Sequence, residues 1–294
     1  MFCNGSTSVA NRTMKVAVTG ATGFIGRHVL AELERRSVET IALVRPSTAK
    51  PLGHSRSRVV LFDLQNTPPN AFELMGCPDV LIHLAWSGLP NYKSLHHFEQ
   101  ELPAQYRFLK GLVESGLQTL VVAGTCFEYG MQSGSLSEDI STHPNNPYGF
   151  AKDALRCQLE YLKTVHPFQF AWARLFYLYG EGQAESSLLP QLRQAAERGD
   201  AVFNMSGGEQ LRDYLPVTEV ARSLVSLALA KKDMGAVNVC SGTPISVRKL
   251  VEDLIKENGW SITLNLGHYP YPDYEPMAFW GDSRKLSTFI GKST

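Results

Sequence analysis

Six short apolar runs, spread over the first 180 residues, constrain this chain more than any other feature. They are "KVAVTG" (15–20), "TIALVR" (40–45), "RVVLFDL" (58–64), "DVLIHLAW" (79–86), "QTLVVAGT" (118–125) and "FQFAWARLFYLYG" (168–180). Each is apolar nearly throughout, as strands buried on both faces are. Residues 24–37 carry Ile25, Val29, Leu30 and Leu33 at helical spacing, and further helical stretches fall near 98–115 and 148–165. Strands alternating with helices predict an α/β fold, a doubly wound parallel sheet with helices on both faces. Right-handed crossovers leave few other topologies. The regular alternation fades after Glu181. A helix at "SLLPQLRQAAERGD", a second within "RDYLPVTEVARSLVSLALA", a strand at 236–242 and a tail rich in proline and aromatics follow. This pattern predicts a dinucleotide-binding unit over 14–180, joined by returning elements at about 213–242. A smaller substrate-binding unit then takes 181–212 and 243–294. Residues 1–13 are small and polar and are expected to be a disordered extension.

Charge narrows the function. Lysine plus arginine and aspartate plus glutamate each number 28, and the pI is near 7.1. No basic field points to nucleic acid or to an anionic membrane. Five cysteines, an odd number without a CxxC pair, argue against a disulfide framework and against a zinc site, so no metal is expected. A reducing cytoplasm fits that usage. No apolar run nears the roughly 18 residues of a membrane span. The first thirteen residues lack the apolar core of a signal peptide.

The first strand runs into Gly20, Gly23 and Gly26, and a helix follows. That order serves a tight turn, close backbone approach to a phosphate and close helix–strand packing. A helix N-terminus adds unpaired N–H groups and partial positive charge. Val44 and Arg45 end the second strand, where a carboxylate would favour NAD. An arginine pairs instead with a 2′-phosphate, so NADP is favoured, with Arg27 as a second cation and NAD as the other candidate.

Farther on, "NNPYGFAKD" places Tyr148 and Lys152 four residues apart behind Asn146 and Pro147, a natural cap and first helical residue. The pair would share one helix face. A neighbouring ammonium lowers a phenol pKa from its usual value near 10, toward use as an acid or base. Thr125 closes the fifth strand four residues before Tyr129.

Loop, threonine and Y-x-x-x-K occur in the order seen in a known family. "TGATGFIG" resembles the cofactor loop of the extended short-chain dehydrogenase/reductases of the NAD-dependent epimerase/dehydratase type, which mostly modify nucleotide-linked sugars. The resemblance implies a Rossmann sheet with Gly20, Thr22, Gly23, Phe24, Ile25, Gly26 and Arg27 against the cofactor. It places Asp63 and Leu64 at the adenine, and Leu84 and Ala85 beside the nicotinamide half. Tyr148 would exchange the proton, Thr125 would bind the substrate oxygen, and Lys152 would also hold the nicotinamide ribose. "LRDYLPVTEVA" is similar to the segment whose arginine grips a sugar nucleotide's diphosphate, which makes Arg212 the match. Trp86, Ser87 and Tyr177 are expected to line the substrate pocket. His83, Trp172, Phe176 and Cys126 are expected to be packing residues, while Glu128 faces either the sugar or the solvent.

Departures from the family shape the expected reaction. The Asp-Glu pair of its dehydratases is replaced by Cys126 and Phe127. Glu101 stands where relatives carry a helper asparagine. No second diphosphate arginine occurs in "YPDYEPM". The expected function is an NADP-preferring reduction of a 4-keto-6-deoxy sugar on a nucleoside diphosphate. A nucleotide-sugar 4-epimerase with tightly bound NAD(P), and a non-catalytic NAD(P)-binding sensor or scaffold, are the alternatives. The resemblance also implies a homodimer, paired through the helices that flank the fifth strand.

Overall fold

The computed structural model describes residues 14–48, 56–61 and 63–290. The expected extension at 1–13 lies outside the described residues. In chain order the elements begin with β1 (Lys15–Thr19), α1 (Phe24–Arg35), β2 (Glu39–Val44), β3 (Arg58–Leu61), α2 (Ala71–Leu74) and β4 (Val80–His83). They continue with α3 (Leu102–Glu114), β5 (Thr119–Thr125), β6 (Gly134–Leu136), α4 (Pro147–Val165), β7 (Gln169–Leu175) and β8 (Tyr177–Tyr179). The second half holds α5 (Leu188–Glu197), β9 (Val202–Asn204), β10 (Leu211–Arg212), β11 (Tyr214–Pro216), α6 (Val217–Ala230) and β12 (Gly235–Val239). It ends with β13 (Ile245–Ser246), α7 (Val247–Asn258), β14 (Thr263–Asn265), β15 (Phe279–Gly281) and α8 (Arg284–Ile290).

Seven strands form one parallel sheet in the order β12-β7-β5-β4-β1-β2-β3. Successive side chains of each strand face opposite ways, and the core follows that period. Val16 and Val18 meet α1 and α6, packing with Val29, Leu33, Val220 and Leu224. Ala17 and Leu81 turn to the other side and meet α3 and α4, with Phe108, Leu112, Leu155 and Leu159. The expected doubly wound sheet is present. Its order reverses between β1 and β4, and a cleft opens at such a switch point beyond the strands' C-terminal ends. A separate apolar cluster gathers Leu192, Phe203, Met205, Val247, Val251 and Ile262 from α5, β9, α7 and the stretch before β14.

Three expected elements differ. The third run stops pairing at Leu61; Phe62 lies outside the described residues, and Asp63 caps a short 3-10 turn, Leu64–Asn66, by accepting from the Gln65 amide at 3.1 Å. The run at 168–180 is two strands rather than one. β12 ends at Val239, so the chain loses its partner past Leu175 and turns at the buried Phe176. β8 then pairs with β11 instead. The helix expected from about residue 98 opens with a π-helical turn, His97–Glu101, before α3 begins.

Candidate active site

The glycine loop sits at the switch point. Gly20 has φ +66°, and a Cβ there would lie 2.9 Å from the Ala85 nitrogen. A Cβ on Gly26 would fall 2.1 Å from the Gly20 carbonyl oxygen. Gly23 is the N-cap of α1 and supplies no side-chain cap. The first turn of α1, with Phe24, Ile25 and Gly26, therefore presents its amides to the cleft, the arrangement that receives a diphosphate. Thr22 lies on the same loop. A residue that sequence reasoning missed ties this loop to β4: the Thr19 hydroxyl accepts from the amides of Leu84 (3.0 Å) and Ala85 (3.2 Å) and bonds His83 Nδ1 at 2.9 Å. A lone hydroxyl ending an apolar strand was its only sequence signal. Burial and nearby Lys152 hold the His83 imidazole down to about 3, so it is a neutral packing group, as expected.

Arg45 is exposed at the end of β2. Arg27 is exposed on α1, and its guanidinium lies where a Cβ on Gly182 would approach to 2.6 Å. Asp63 and Leu64 begin the 3-10 turn beyond β3. The Gln65 side chain donates through Nε2 to Glu101 Oε1 at 2.8 Å.

Thr125, Tyr148 and Lys152 converge across the cleft. Thr125 ends β5. Asn146 caps α4 by accepting from the Gly149 amide at 2.9 Å, with Pro147 as first helical residue, as expected. Tyr148 is thereby held in the first turn, and Lys152 follows one turn later. Lys152 is 2% exposed, donates to the Ala123 carbonyl at 2.9 Å and stands 3.9 Å from the centre of the Trp86 ring. Burial lowers its pKa to about 7, against the pull of Glu128 and Glu101. Burial pushes the Tyr148 phenol well above its usual range. Tyr92, Glu128 and Cys126 add to the rise, and the Thr125 hydroxyl opposes it. The phenol is therefore raised rather than lowered as expected, because desolvation dominates. The site holds a phenol, the proton-donating form.

Four rings box the phenol: His97 at 5.3 Å, Tyr92 at 5.6 Å, Trp86 at 6.1 Å and Phe127 at 6.3 Å between centroids. Trp86 Nε1 donates to His97 Nδ1 at 3.1 Å, so His97 carries its proton on Nε2 and gives it to the Asn91 carbonyl. Ser87, expected to line the substrate pocket, is bonded to the protein through both its polar groups. Its hydroxyl and amide both donate to buried Glu101, at 2.6 and 3.2 Å. Burial raises the Glu101 pKa, but bonds from Ser87 and Gln105 outweigh that and leave the carboxyl low.

Arg212, on β10, is 3% exposed and ion-paired with Glu275 at 3.0 Å. It also donates to the carbonyls of Leu211 and Met277, and it packs 4.7 Å from the Phe279 ring centre. The Tyr177 hydroxyl donates to the same Glu275 carboxylate. Glu275 was missed; it lies 63 residues from Arg212 and no local pattern marks it. Glu128 faces neither sugar nor solvent. It is fully buried and paired with Arg174 at 2.7 Å. Trp172, Phe176 and Cys126 are buried packing residues, as expected.

A glycine loop at the sheet's switch point, together with a Thr–Tyr–Lys set at the end of β5 and the start of α4, fits a nucleotide-cofactor enzyme of the dehydrogenase/reductase class. The chain belongs to the NAD dependent epimerase/dehydratase family, whose model matches residues 16–240. It is 28% identical over 270 residues to dTDP-6-deoxy-L-talose 4-dehydrogenase (NAD(+)) of Aggregatibacter actinomycetemcomitans, covering 91% of this chain and 99% of that one. It is 27% identical to dTDP-6-deoxy-L-talose 4-dehydrogenase (NAD(P)(+)) of Kitasatospora kifunensis, over 88% of this chain and 83% of the relative. Among solved structures, UDP-glucuronic acid 4-epimerase from Bacillus cereus, in complex with UDP-glucuronic acid and NAD, aligns with a TM-score of 0.80 at 25% identity. That alignment covers 95% of this chain and 94% of the epimerase. The chain is thus an NAD(P)-dependent enzyme of this class.

Proposed function

We propose that this enzyme reduces a 4-keto-6-deoxy sugar, carried on a nucleoside diphosphate, to the corresponding alcohol. One observation carries the reading: a protonated, buried Tyr148 beside Thr125, in a box whose added walls are aromatic rather than acidic. Elimination of water needs an acid and a base at the positions that Cys126 and Phe127 occupy. An apolar wall suits a sugar whose C6 is a methyl group. The two talose 4-dehydrogenase relatives act on sugars of that kind by name.

The glycine loop and the first turn of α1 would hold the diphosphate of the cofactor, Asp63 and Leu64 its adenosine end, and Leu84, Ala85 and Lys152 its nicotinamide half. When bound, the nicotinamide supplies or accepts the hydride. Tyr148 gives its proton to the ketone oxygen, and Thr125 orients that oxygen by hydrogen bonding. Arg45, with Arg27, selects NADP over NAD through its 2′-phosphate. Arg212 takes the substrate's diphosphate once Glu275 has yielded it, while Trp86, Ser87 and Tyr177 border the sugar.

The test is NADPH consumption against a panel of nucleotide 4-keto sugars. One NADPH oxidised per sugar reduced supports the reductase. Interconversion of two sugars with no net oxidation supports the 4-epimerase instead, a reading favoured by the solved epimerase relative. Tyr148→Phe should lower turnover by about 10³-fold. Full activity in that variant would leave a binding or scaffolding role.

A further inference from the structure

The proposed chemistry leaves the buried Glu128–Arg174 pair without a role. Glu128 lies in the turn after Thr125 and has no exposed surface. Its Oε1 accepts from the Thr125 backbone N–H at 2.8 Å and from Trp172 Nε1 at 2.8 Å; its Oε2 accepts from Arg174 Nε at 2.7 Å. Thr125 returns the contact, its hydroxyl accepting from the Phe127 amide at 3.3 Å, which closes a reciprocal cap. Gly124 keeps the space open. A Cβ there would lie 2.2 Å from Trp172 Nε1 and 2.7 Å from Glu128 Oε1. Arg174 goes on to donate to the Tyr129 hydroxyl at 3.1 Å, and Tyr129 donates to Asn238 at 2.8 Å on β12. The last residue of β5 is thus bolted to β7 and β12 through one carboxylate.

We propose that Glu128 is the positioning residue of this active site, fixing Thr125 through its backbone N–H and holding a buried carboxylate, paired with Arg174, beside Tyr148 and Lys152. This rests on reading Tyr148 as the proton donor. Glu128 cannot touch substrate, because every face of its carboxylate is spent on the protein. Burial raises the Glu128 carboxyl above its usual range, against Arg174 and the bonds from Thr125 and Trp172, which favour the ionised form. In that form its charge raises the proton affinity of both Tyr148 and Lys152, which favours the protonated site that gives a proton to a ketone. The other titratable groups around the pair are Tyr92, Cys126 and His97 beside Tyr148, and Glu101, His83 and His97 beside Lys152. Arg174, Tyr129, Cys126 and Cys157 surround Glu128 itself. Of these, Glu101 alone shares the effect of Glu128 on Lys152.

Glu128→Gln and Glu128→Asp separate charge from position. The primary readout is the 13Cε NMR titration of Lys152 in the protein without cofactor, its signal assigned by loss in Lys152→Met. In Glu128→Gln the midpoint should fall from about 7 to about 6 or lower. The alkaline limb of the reduction profile should move down with it, and kcat should drop at least ~10-fold with KM little changed. Glu128→Asp keeps the charge but is one methylene short. It should hold the midpoint and the alkaline limb while kcat falls several-fold. An unmoved midpoint in Glu128→Gln overturns the proposal, as does a pH profile identical to wild type. If Glu128→Gln does not fold, Glu128→Gln with Arg174→Met removes both charges together, an exchange that buried pairs often tolerate. The fall is then smaller, because the Arg174 cation leaves with the carboxylate, and an unmoved or raised midpoint is again fatal. A wild-type protein that binds NADPH but reduces no ketosugar would end the reductase reading, while the Lys152 midpoint would still decide the role of Glu128.

Discussion

Lys152 sets the residue-scale energetics. An ammonium taken out of water loses solvation, and here one carbonyl and one ring replace it. Its pKa of about 7 lies below that of a free lysine, near 10.4. The folded chain therefore binds fewer protons than the unfolded chain between about pH 7 and 10, and this residue's contribution to stability rises with pH across that window and is least favourable below it. Lys152→Met should melt a few degrees higher than wild type at pH 6 and keep less than half of that advantage at pH 9, while turnover collapses. Calorimetry at the two pH values checks this; an equal offset at both would contradict it. Function here keeps a charge that the fold would be better without.

At the scale of elements, the loop before α1 and the strap before β15 are the two pieces proposed to meet ligands. Gly26→Ala puts a methyl group against the Gly20 carbonyl, which must move. The predicted result is at least ~10-fold weaker NADPH binding by fluorescence titration and a loss of ~1–3 kcal/mol of stability from overpacking. The strap packs on the rings around the candidate site. Asp273 pairs with Lys93 at 3.0 Å, Tyr274 packs 6.1 Å from both Tyr92 and Phe127, and Glu275 holds Arg212. A carboxylate on Arg212 competes with any incoming diphosphate. Glu275→Gln should lower KM for the nucleotide sugar several-fold and leave kcat near wild type. A raised KM would mean that Glu275 binds the substrate directly.

At the scale of the molecule, helix α4 turns one face into the core and leaves Phe150, Tyr161 and Val165 exposed at 51, 77 and 71%. That apolar stripe suits the homodimer proposed from resemblance. Sedimentation velocity should show a dimer, shifted toward monomer by Tyr161→Glu; a monomeric wild type would remove the claim. The parts of the site that could be read from the sequence are those whose partners are local. Gly20, Gly23 and Gly26 serve one turn, and Tyr148 and Lys152 share one helix face behind their cap. Glu128 and Arg174 lie 46 residues apart, and Thr19 and the Ala85 amide 66, so no short window contains either pair. The break at Phe176 belongs with these, since a strand ends where its neighbour ends.

The sequence by itself determined the class of fold and, with the family resemblance, made the glycine loop and the Thr125–Tyr148–Lys152 set the candidate site, because hydrophobic period, glycine spacing and capping act within a turn or two of chain. The tertiary structure alone decided the protonation of that set and the occupancy of Arg212. Both depend on how much water is excluded and on which distant carboxylate, Glu128 or Glu275, the folded chain brings within 3 Å or so.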